Sequence, residues 1–185
     1  MARYLGPKIK VIRRLGSLPG LTQKNSRRQS ATDQRRKLSQ YALRLREKQK
    51  LRFNYGISEQ QLLSYVKKAR RLQGSTGTLL IRLLEMRIDT LVFRLSLGPS
   101  IASCRQLVTH GHIFVNKKRV TIPSYQCKIG DTIHFESLTP ITFSSPCSHL
   151  DHDKGNQSAQ ICSFPDRQSL DLDVNELRVI EYYSR

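Results

Sequence analysis

The apolar and polar positions of the chain first become periodic at Ser39, where they predict a helix. In the stretch SQYALRLREKQKLRF, the apolar Tyr41 and Leu45 are one turn apart and basic residues cover most of the remaining surface. A stripe this narrow is typical of a helix that packs along one edge and shows its other faces to a partner. Gly56 is placed to end this helix, because a glycine often follows the last helical residue.

A second helix is predicted after Ser58, a suitable N-cap with Gln61 three residues later, as a capping box requires. Its apolar stripe includes Leu62 and Val66, and Gly74 is placed to end it. Four basic residues crowd its C-terminal half, where they either form a solvated face or extend a positive surface. The next segment, TGTLLIRLLEM, is so rich in Leu and Ile that most of it is expected in the core.

Residues 87–135 predict two short helices followed by strands. Asp89 is expected to cap the first helix, and Ser100 and Gly111 are expected to bound the second. HIFVN and IGDTIHF are then predicted as strands, and NKKR as a tight basic turn. Asn116 suits that turn because asparagine tolerates a left-handed backbone.

Residues 1–39 show no helical or strand periodicity and are rich in basic residues. Residues 1–55 carry 16 Lys and Arg residues against two acids, whereas residues 136–185 carry four against eight. A segment with so much charge and so little apolar surface is not expected to fold alone. This N-terminal arm is therefore expected to become ordered only on a polyanion.

Together these patterns predict an α+β protein in four parts, in which the third part follows the second without a linker. The parts are a basic extended N-terminal arm (1–39), a helical subdomain (40–86), an in-line module of two helices and a small antiparallel sheet (87–136), and an acidic C-terminal extension with a terminal strand (137–185).

The formal net charge of this 185-residue chain is +18, which exceeds what solubility requires, because self-repulsion at that level disfavours a compact state. Nucleic acid is the partner that such a charge favours most. An acidic membrane is the alternative, but no apolar run approaches the roughly 18–20 residues of a membrane span. No membrane partner is expected.

Metal binding and catalysis find little support in the sequence. The four cysteines form no C-x-x-C pair, and the spacing of Cys147, His149, His152 and Cys162 matches no familiar metal site. No metal and no cofactor are therefore expected, and Cys104 is expected to be a buried, reduced thiol. Because the chain shows no nucleophile–base pair, no paired acid and base and no phosphate-cradling glycine motif, an enzyme is not expected.

The candidate contacts with nucleic acid are basic and amide side chains together with two histidines. His110 and His112 have structural alternatives, as a last-turn residue near a helix dipole and a strand-face residue. Contact with RNA is favoured because Gly111 between them lets a backbone approach closely. The candidate RNA-binding residues are Arg13, Arg14, Arg44, Lys48, Lys50, Arg52, Lys67, Lys68, Arg70, Arg71, Arg87, Arg105, Gln106, His110, His112, Asn116, Lys117, Lys118 and Arg119.

Several stretches of the chain, taken together, resemble one family. Residues 87–135 resemble the alpha-L RNA-binding module. ARYLGPKIKVIRRLGSLPGLT, LREKQKLRFNYG, GSTGTLLIRLLEMRIDT and RQLVTHGHIFVN are similar to the ribosomal small-subunit protein four family, and NELRVIEYYSR resembles the end of its cyanobacterial and plastid branch.

The resemblance implies a structural constituent of the small (30S) ribosomal subunit that binds 16S ribosomal RNA and nucleates assembly of the subunit body. The implied partners are small-subunit protein five, other 30S proteins, and messenger RNA where it enters the ribosome, with a contribution to translational accuracy. The implied location is the ribosomes of the plastid (chloroplast) stroma, with the bacterial cytoplasm as the alternative.

The chain departs from the pattern of this family in three places. Some bacterial relatives hold zinc on four N-terminal cysteines, but residues 1–40 contain none, so no metal is expected there. The basic loop after Lys24 is shortened, and residues 137–170 match poorly. Contacts that these parts make in relatives are therefore not carried over.

Two other functions are weighed against this one. An RNA-modifying enzyme or synthetase fragment would need roughly 100–150 further residues for a catalytic domain. A stand-alone RNA-binding or chaperone protein would use the same module, but it leaves the motifs of residues 1–75 and the acidic tail without an explanation.

Overall fold

The structure, a computed structural model, describes residues 4, 6–24, 38–135, 149–153, 157–167, 170 and 172–184. The chain divides into two compact units. The helical unit comprises residues 1–80 and 171–185, and the sheet unit comprises residues 81–170. Helices and an antiparallel sheet are both present, which confirms the α+β prediction. No helix in the described ranges is long and apolar enough to cross a membrane.

Seven helices occur within the described residues, and three of them begin where the sequence predicts, after Ser39, Ser58 and Ser100. The Ser39 hydroxyl accepts a hydrogen bond from the Ala42 N–H, and Ser58 and Gln61 form the complete capping box. The helices are α1 (Lys8–Leu15), α2 (Gln40–Asn54), α3 (Glu59–Arg71), α4 (Thr76–Glu85), α5 (Ile88–Arg94), α6 (Ile101–His110) and α7 (Glu176–Tyr183).

The core of the helical unit contains the apolar faces of α2, α3 and α7. Leu51 on α2, Leu62 and Val66 on α3, and Val179 on α7 are all completely buried. Burying side chains of this size stabilises the fold by about 1.5–3 kcal/mol each, so packing determines these helices more than intrinsic propensity does.

The sheet unit contains one five-stranded sheet in the order β2-β1-β3-β5-β4, and every neighbouring pair is antiparallel. The central pair aligns Ile113 with Phe135 and Val115 with Ile133, and all four side chains are buried on one face. The strands are β1 (Ile113–Val115), β2 (Lys118–Arg119), β3 (Thr132–Phe135), β4 (Leu150–Asp153) and β5 (Ser158–Ile161).

Helices α5 and α6 cover this buried face of the sheet. Leu91 and Val92 of α5 and Cys104 and Val108 of α6 belong to the same hydrophobic cluster as the inward residues of the strands. Burial raises the pKa of the Cys104 thiol to about 12, so it is a packing residue and not a reactive thiol. The predicted burial of this cysteine is confirmed.

The prediction of a non-helical N-terminal arm is wrong for residues 8–15, which form α1. Val11, Ile12 and Leu15 are buried there, whereas Arg13 and Arg14 are exposed. The spacing of the three apolar residues places them on one face, a signal that the surrounding basic pairs obscured. Residues 25–37 of the predicted arm lie outside the described residues.

The predicted organisation of residues 137–185 is also wrong. The predicted terminal strand is helix α7, which begins where the Asn175 side chain accepts a hydrogen bond from the Arg178 N–H. Strands β4 and β5 join the sheet of the module, because β5 pairs with β3. The predicted boundary at residue 136 therefore cuts through one sheet, and residues 171–185 belong to the helical unit.

Candidate nucleic-acid interface

The turn between β1 and β2 presents two exposed lysines on a left-handed backbone. Asn116 and Lys117 have φ angles of 50° and 64°, so both occupy the left-handed region that tight hairpin turns require. Lys117 and Lys118 are exposed to solvent. The predicted basic turn and the left-handed role of Asn116 are confirmed.

Asp131 holds this turn in place through the side-chain amide of Asn116. The Asn116 Nδ2 donates to Asp131 Oδ1 at 2.8 Å, and the Asn116 Oδ1 accepts from the Thr132 N–H at 3.0 Å. The second carboxylate oxygen, Asp131 Oδ2, accepts from the Lys128 N–H at 2.8 Å. Both ends of the Asn116 amide are therefore engaged inside the protein, and its role in the structure is to fix the turn. Asp131 was not among the predicted site residues.

Arg119 ties the same hairpin to the end of α6. Its Nη2 donates to the carbonyl of His110 at 2.8 Å and its Nε to the carbonyl of Gly111 at 3.1 Å. A side chain at position 111 would collide with the guanidinium, and the φ of +80° also favours glycine there. The rings of His110 and His112 lie 6.4 Å apart beside this joint.

Besides Asn116, six predicted residues of the sheet unit are exposed near α6, the turn and β2. None of them forms an ion pair with an acidic residue in the part of the chain that the structure describes, so no carboxylate there neutralises the positive charges of Lys117, Lys118 and Arg119. We call this set the basic rim: Gln106, His110, His112, Lys117, Lys118 and Arg119.

Arg87 and Arg105 were predicted to contact RNA, but both side chains are bound to the buried carboxylate of Asp89. Arg87 Nη2 and Arg105 Nη2 lie 2.8 Å and 2.7 Å from Asp89 Oδ2. The side chain of Arg87 is only 3% exposed, so this residue is withdrawn as a contact. The predicted capping by Asp89 is also wrong, because α5 begins at Ile88 and Arg87 occupies the N-cap position.

Three predicted contacts on α2 are also occupied by ion pairs within the helical unit. Arg44 Nε lies 2.7 Å from Glu181 of α7, and Lys48 Nζ lies 3.0 Å from Glu59 of α3. Lys50 Nζ lies 3.0 Å from Glu47 and donates to the carbonyl of Asp173. The side chain of Lys48 is 6% exposed, so it is withdrawn as well.

Glu59 is held as a carboxylate between these groups. Burial by itself raises the pKa of Glu59, but hydrogen bonds from Tyr183 and Lys48 outweigh it and lower the pKa. The Tyr183 hydroxyl donates to Glu59 Oε1 at 2.6 Å, and burial together with this bond raises the pKa of Tyr183. Lys48 was predicted to contact RNA, but in the structure it joins α2 to Glu59 of α3.

Of the other basic residues predicted on the helical unit, six are exposed to solvent and one is half-buried. Arg52 is half-buried, and its guanidinium carbon lies 4.8 Å from the centre of the Phe53 ring. The exposed residues are those on the outer faces of α1 and α3: Arg13, Arg14, Lys67, Lys68, Arg70 and Arg71.

Two cysteines and two histidines near the C-terminus were considered as metal ligands, and the structure describes the side chains of only two of these four residues. Cys147 and the side chain of His152 lie outside the described part, while Cys162 is exposed and His149 is completely buried. Neither ring nitrogen of His149 has a hydrogen-bond partner among the described residues, and burial lowers the pKa of this imidazole. The expectation of no metal therefore stays a prediction.

Two family models match this chain, one after the other along the sequence. Residues 3–85 match the family described as "Ribosomal protein S4/S9 N-terminal domain", and residues 86–133 match the S4 domain. Small ribosomal subunit protein uS4c of Emiliania huxleyi is 52% identical, over 100% of this chain and 99% of the relative. Small ribosomal subunit protein uS4 of Thermosynechococcus vestitus is 51% identical, with the same coverage.

The chain belongs to the uS4 family of small ribosomal subunit proteins. The resemblance drawn from the sequence is thereby confirmed, and membership in the uS4 family makes this a structural ribosomal protein and not an enzyme. Its uS4 relatives occur in both algae and cyanobacteria at similar identity, as uS4c of Chlorella vulgaris, at 48%, also shows.

Proposed function

We propose that this chain binds 16S ribosomal RNA through the basic rim of the sheet unit and through the exposed basic faces of α1 and α3. The observation that carries this proposal is the fixed left-handed turn, which holds Lys117 and Lys118 in solvent without an acidic partner among the described residues. Cations presented in this way neutralise phosphates and release counterions, which is the main source of affinity for nucleic acid.

The histidines and Gln106 of the basic rim suit contacts with unpaired bases or with the ribose 2′-hydroxyl. Imidazole rings stack on bases, and amides hydrogen-bond to base edges. His110 and His112 lie on either side of Gly111, whose left-handed backbone joins α6 to β1 between the two rings. Phosphate contacts from the lysines would then position the module, while these groups distinguish the RNA site.

Membership in the uS4 family supports a wider role in the ribosome. We propose that the chain nucleates assembly of the subunit body, contacts small-subunit protein five, lies near messenger RNA where it enters, and contributes to translational accuracy. The uS4c names of the algal relatives support plastid ribosomes as its location. A bacterial cytoplasm is the alternative, since cyanobacterial relatives are equally similar.

Binding to purified 16S RNA and to whole subunits tests the proposal. The full chain is expected to bind 16S RNA in a filter assay, with an affinity that falls steeply as salt rises. A tagged chain is also expected to sediment with small subunits. Binding to 16S RNA without incorporation into subunits would instead support the stand-alone RNA-binding protein, and no binding at low salt would contradict both functions.

A further inference from the structure

One aromatic side chain of the sheet unit is exposed although a cation covers one face of its ring. Phe164 lies three positions after the end of β5 and is 45% exposed. The guanidinium carbon of Arg82, in the last turn of α4, lies 4.1 Å from the centre of the Phe164 ring. Pro165, the next residue, is buried and anchors this segment. The ring is thus held in place while much of its surface stays open to solvent.

This pair differs from the other two cation–π pairs that occur among the described residues. In one of them the cation, Lys48, is already neutralised by Glu59. In the other the ring, Phe53, is half-buried. Arg82 forms no ion pair with an acidic residue in the described part of the chain, and Phe164 is exposed. Within that part, this is the one exposed ring that lies against a cation without a carboxylate partner.

A chain of hydrogen bonds connects this aromatic site to the turn of the basic rim. Asp131 accepts from the Asn116 amide in the turn and from the Lys128 N–H, at 2.8 Å in both cases. The Gly130 N–H donates to the carbonyl of the last residue of β5, also at 2.8 Å. The loop that carries the exposed Lys128 therefore lies between the turn and the segment that leads from β5 to the ring. The aromatic site thus continues the surface that is proposed to bind RNA.

We infer that Phe164, on the face of its ring opposite Arg82, stacks on one unpaired base of ribosomal RNA, an inference that rests on the proposed function. Aromatic rings stack on bases of any sequence, and an arginine beside the ring adds a cation–π contribution. Each nucleotide brings a phosphate together with its base, so one strand supplies the ring with a base and Arg82 or Lys128 with an anion. An apolar protein surface would cover the ring, but it would also bury the charge of Arg82 without a carboxylate, which is unfavourable.

Neither residue of this pair was among the predicted contacts. Arg82 belongs to the segment TGTLLIRLLEM, most of which was expected in the core. Phe164 lies in residues 137–170, which match the family pattern poorly, and beyond residue 133, where the match to the S4 domain ends. The contact is therefore drawn from the structure of this chain and not from the family.

Filter binding and 2′-hydroxyl acylation of 16S RNA with the full chain test this inference. Phe164→Leu keeps the charge and an apolar side chain but removes the ring, so the affinity for 16S RNA is expected to fall by about 5- to 20-fold. The salt slope should stay unchanged, because no phosphate contact is lost. One unpaired nucleotide that the natural chain protects from acylation should become as reactive as in free RNA.

Two further variants control for the ring and for its place in the fold. Phe164→Tyr keeps an aromatic ring, so it should retain the natural affinity and protection. Tyr41→Leu makes a similar change at a ring on α2 that is 58% exposed, and it should leave RNA binding unchanged. Phe164→Leu should melt within about 4 °C of the natural chain, because only an exposed cation–π contact is lost. A larger fall, or a loss of affinity in Phe164→Tyr, would overturn the inference.

The result for the natural chain separates this inference from the proposed function. If the natural chain does not bind 16S RNA, the proposed function itself fails. If it binds and Phe164→Leu preserves both the affinity and every protection, only the stacking inference fails. If that variant binds 16S RNA normally but no longer sediments with small subunits, the ring contacts a protein of the subunit and not a base.

Discussion

The basic residues of α2 and those of the basic rim differ in what holds them, although they look alike in the sequence. Arg44, Lys48 and Lys50 are paired with carboxylates, so most of their field is cancelled within the protein. Arg119 is held by two neutral carbonyls, and the turn that carries Lys117 and Lys118 is fixed through an amide. A basic side chain that is held by neutral groups keeps its positive charge available for a polyanion. A basic side chain that is held by a carboxylate does not.

The acidic C-terminal segment explains part of this difference. Glu181 of α7 pairs with α2, the backbone carbonyl of Asp173 accepts from Lys50, and Glu47 of α2 accepts from the Asn175 N–H at 2.9 Å. One acidic side chain of residues 136–185, Glu181, and two backbone groups of the same segment thus bind it to a basic helix. The comparison teaches that local charge density does not by itself identify contacts with RNA.

The largest expected effect comes from the carboxylate that holds two arginines in the sheet unit. Asp89→Asn leaves Arg87 and Arg105 without their buried partner, and breaking such a pair costs about 3–5 kcal/mol. Urea unfolding of the full chain should show this loss. Asp151→Asn is the matched control, because Asp151 is exposed on β4. If both variants are equally stable, the Asp89 cluster does not support the fold.

Removal of lysines from the turn should have the next largest effect, on RNA affinity. Lys117→Ala with Lys118→Ala is expected to weaken 16S binding by roughly 10-fold and to reduce the salt slope by about 1 for each phosphate that is no longer neutralised. Filter binding over a range of salt concentrations measures both quantities.

The ion pairs of α2 supply a control with the same change in charge. Arg44→Ala with Lys50→Ala removes two cations that carboxylates already neutralise, so the salt slope should change little. An equal reduction of the salt slope in the two double variants would break the distinction between paired and unpaired cations.

Local signals in the sequence predicted the parts of the fold that local interactions determine. The helix starts at Ser39, Ser58 and Ser100 and the left-handed turn at Asn116 were predicted, because each depends on residues within a few positions. The pairing of β5 with β3 and the docking of α7 were not, because partners more than twenty positions away decide them.

The same distinction applies to the candidate site. Residue type was enough to select the exposed residues of the basic rim. It did not show that Arg44 and Lys48 are paired inside the fold, because Arg44 binds a residue 137 positions away and Lys48 binds Glu59, which also accepts from Tyr183. Arg87 lies only two positions from its partner, Asp89, and this spacing is a signal in the sequence for their ion pair. Burial of both residues depends on the tertiary packing, which sequence patterns do not report.

A smaller effect is expected from Asp131, and its sign separates two explanations. Deleting an acid from a basic surface should strengthen RNA binding if charge alone matters. If Asp131 acts by fixing Asn116 and the turn, Asp131→Ala should instead weaken binding by roughly fivefold, about 1 kcal/mol. The effect should disappear in chains that already lack Lys117 and Lys118, and a stronger affinity for Asp131→Ala would contradict the positioning role.

An effect of similar size is expected from His149 in the sheet unit. Neither of its ring nitrogens has a hydrogen-bond partner among the described residues. Its burial lowers the pKa, while Glu85 raises it and Arg94 lowers it further. The folded chain therefore keeps this imidazole neutral at a pH where the unfolded chain protonates it. Stability should be complete above the ordinary pKa of 6.5 and should decline as the pH falls below it.

Replacing His149 tests this origin of the acid sensitivity. His149→Leu removes two unpaired polar atoms, so at neutral pH it should raise the stability by about 1 kcal/mol and the melting temperature by about 2–4 °C. The decline below pH 6.5 should become shallower, whereas His112→Leu, at an exposed position, should leave it unchanged. A steep decline that persists in His149→Leu would assign the acid sensitivity to carboxylates such as Glu59, whose pKa is lowered in the fold and whose contribution is lost only at more acidic pH.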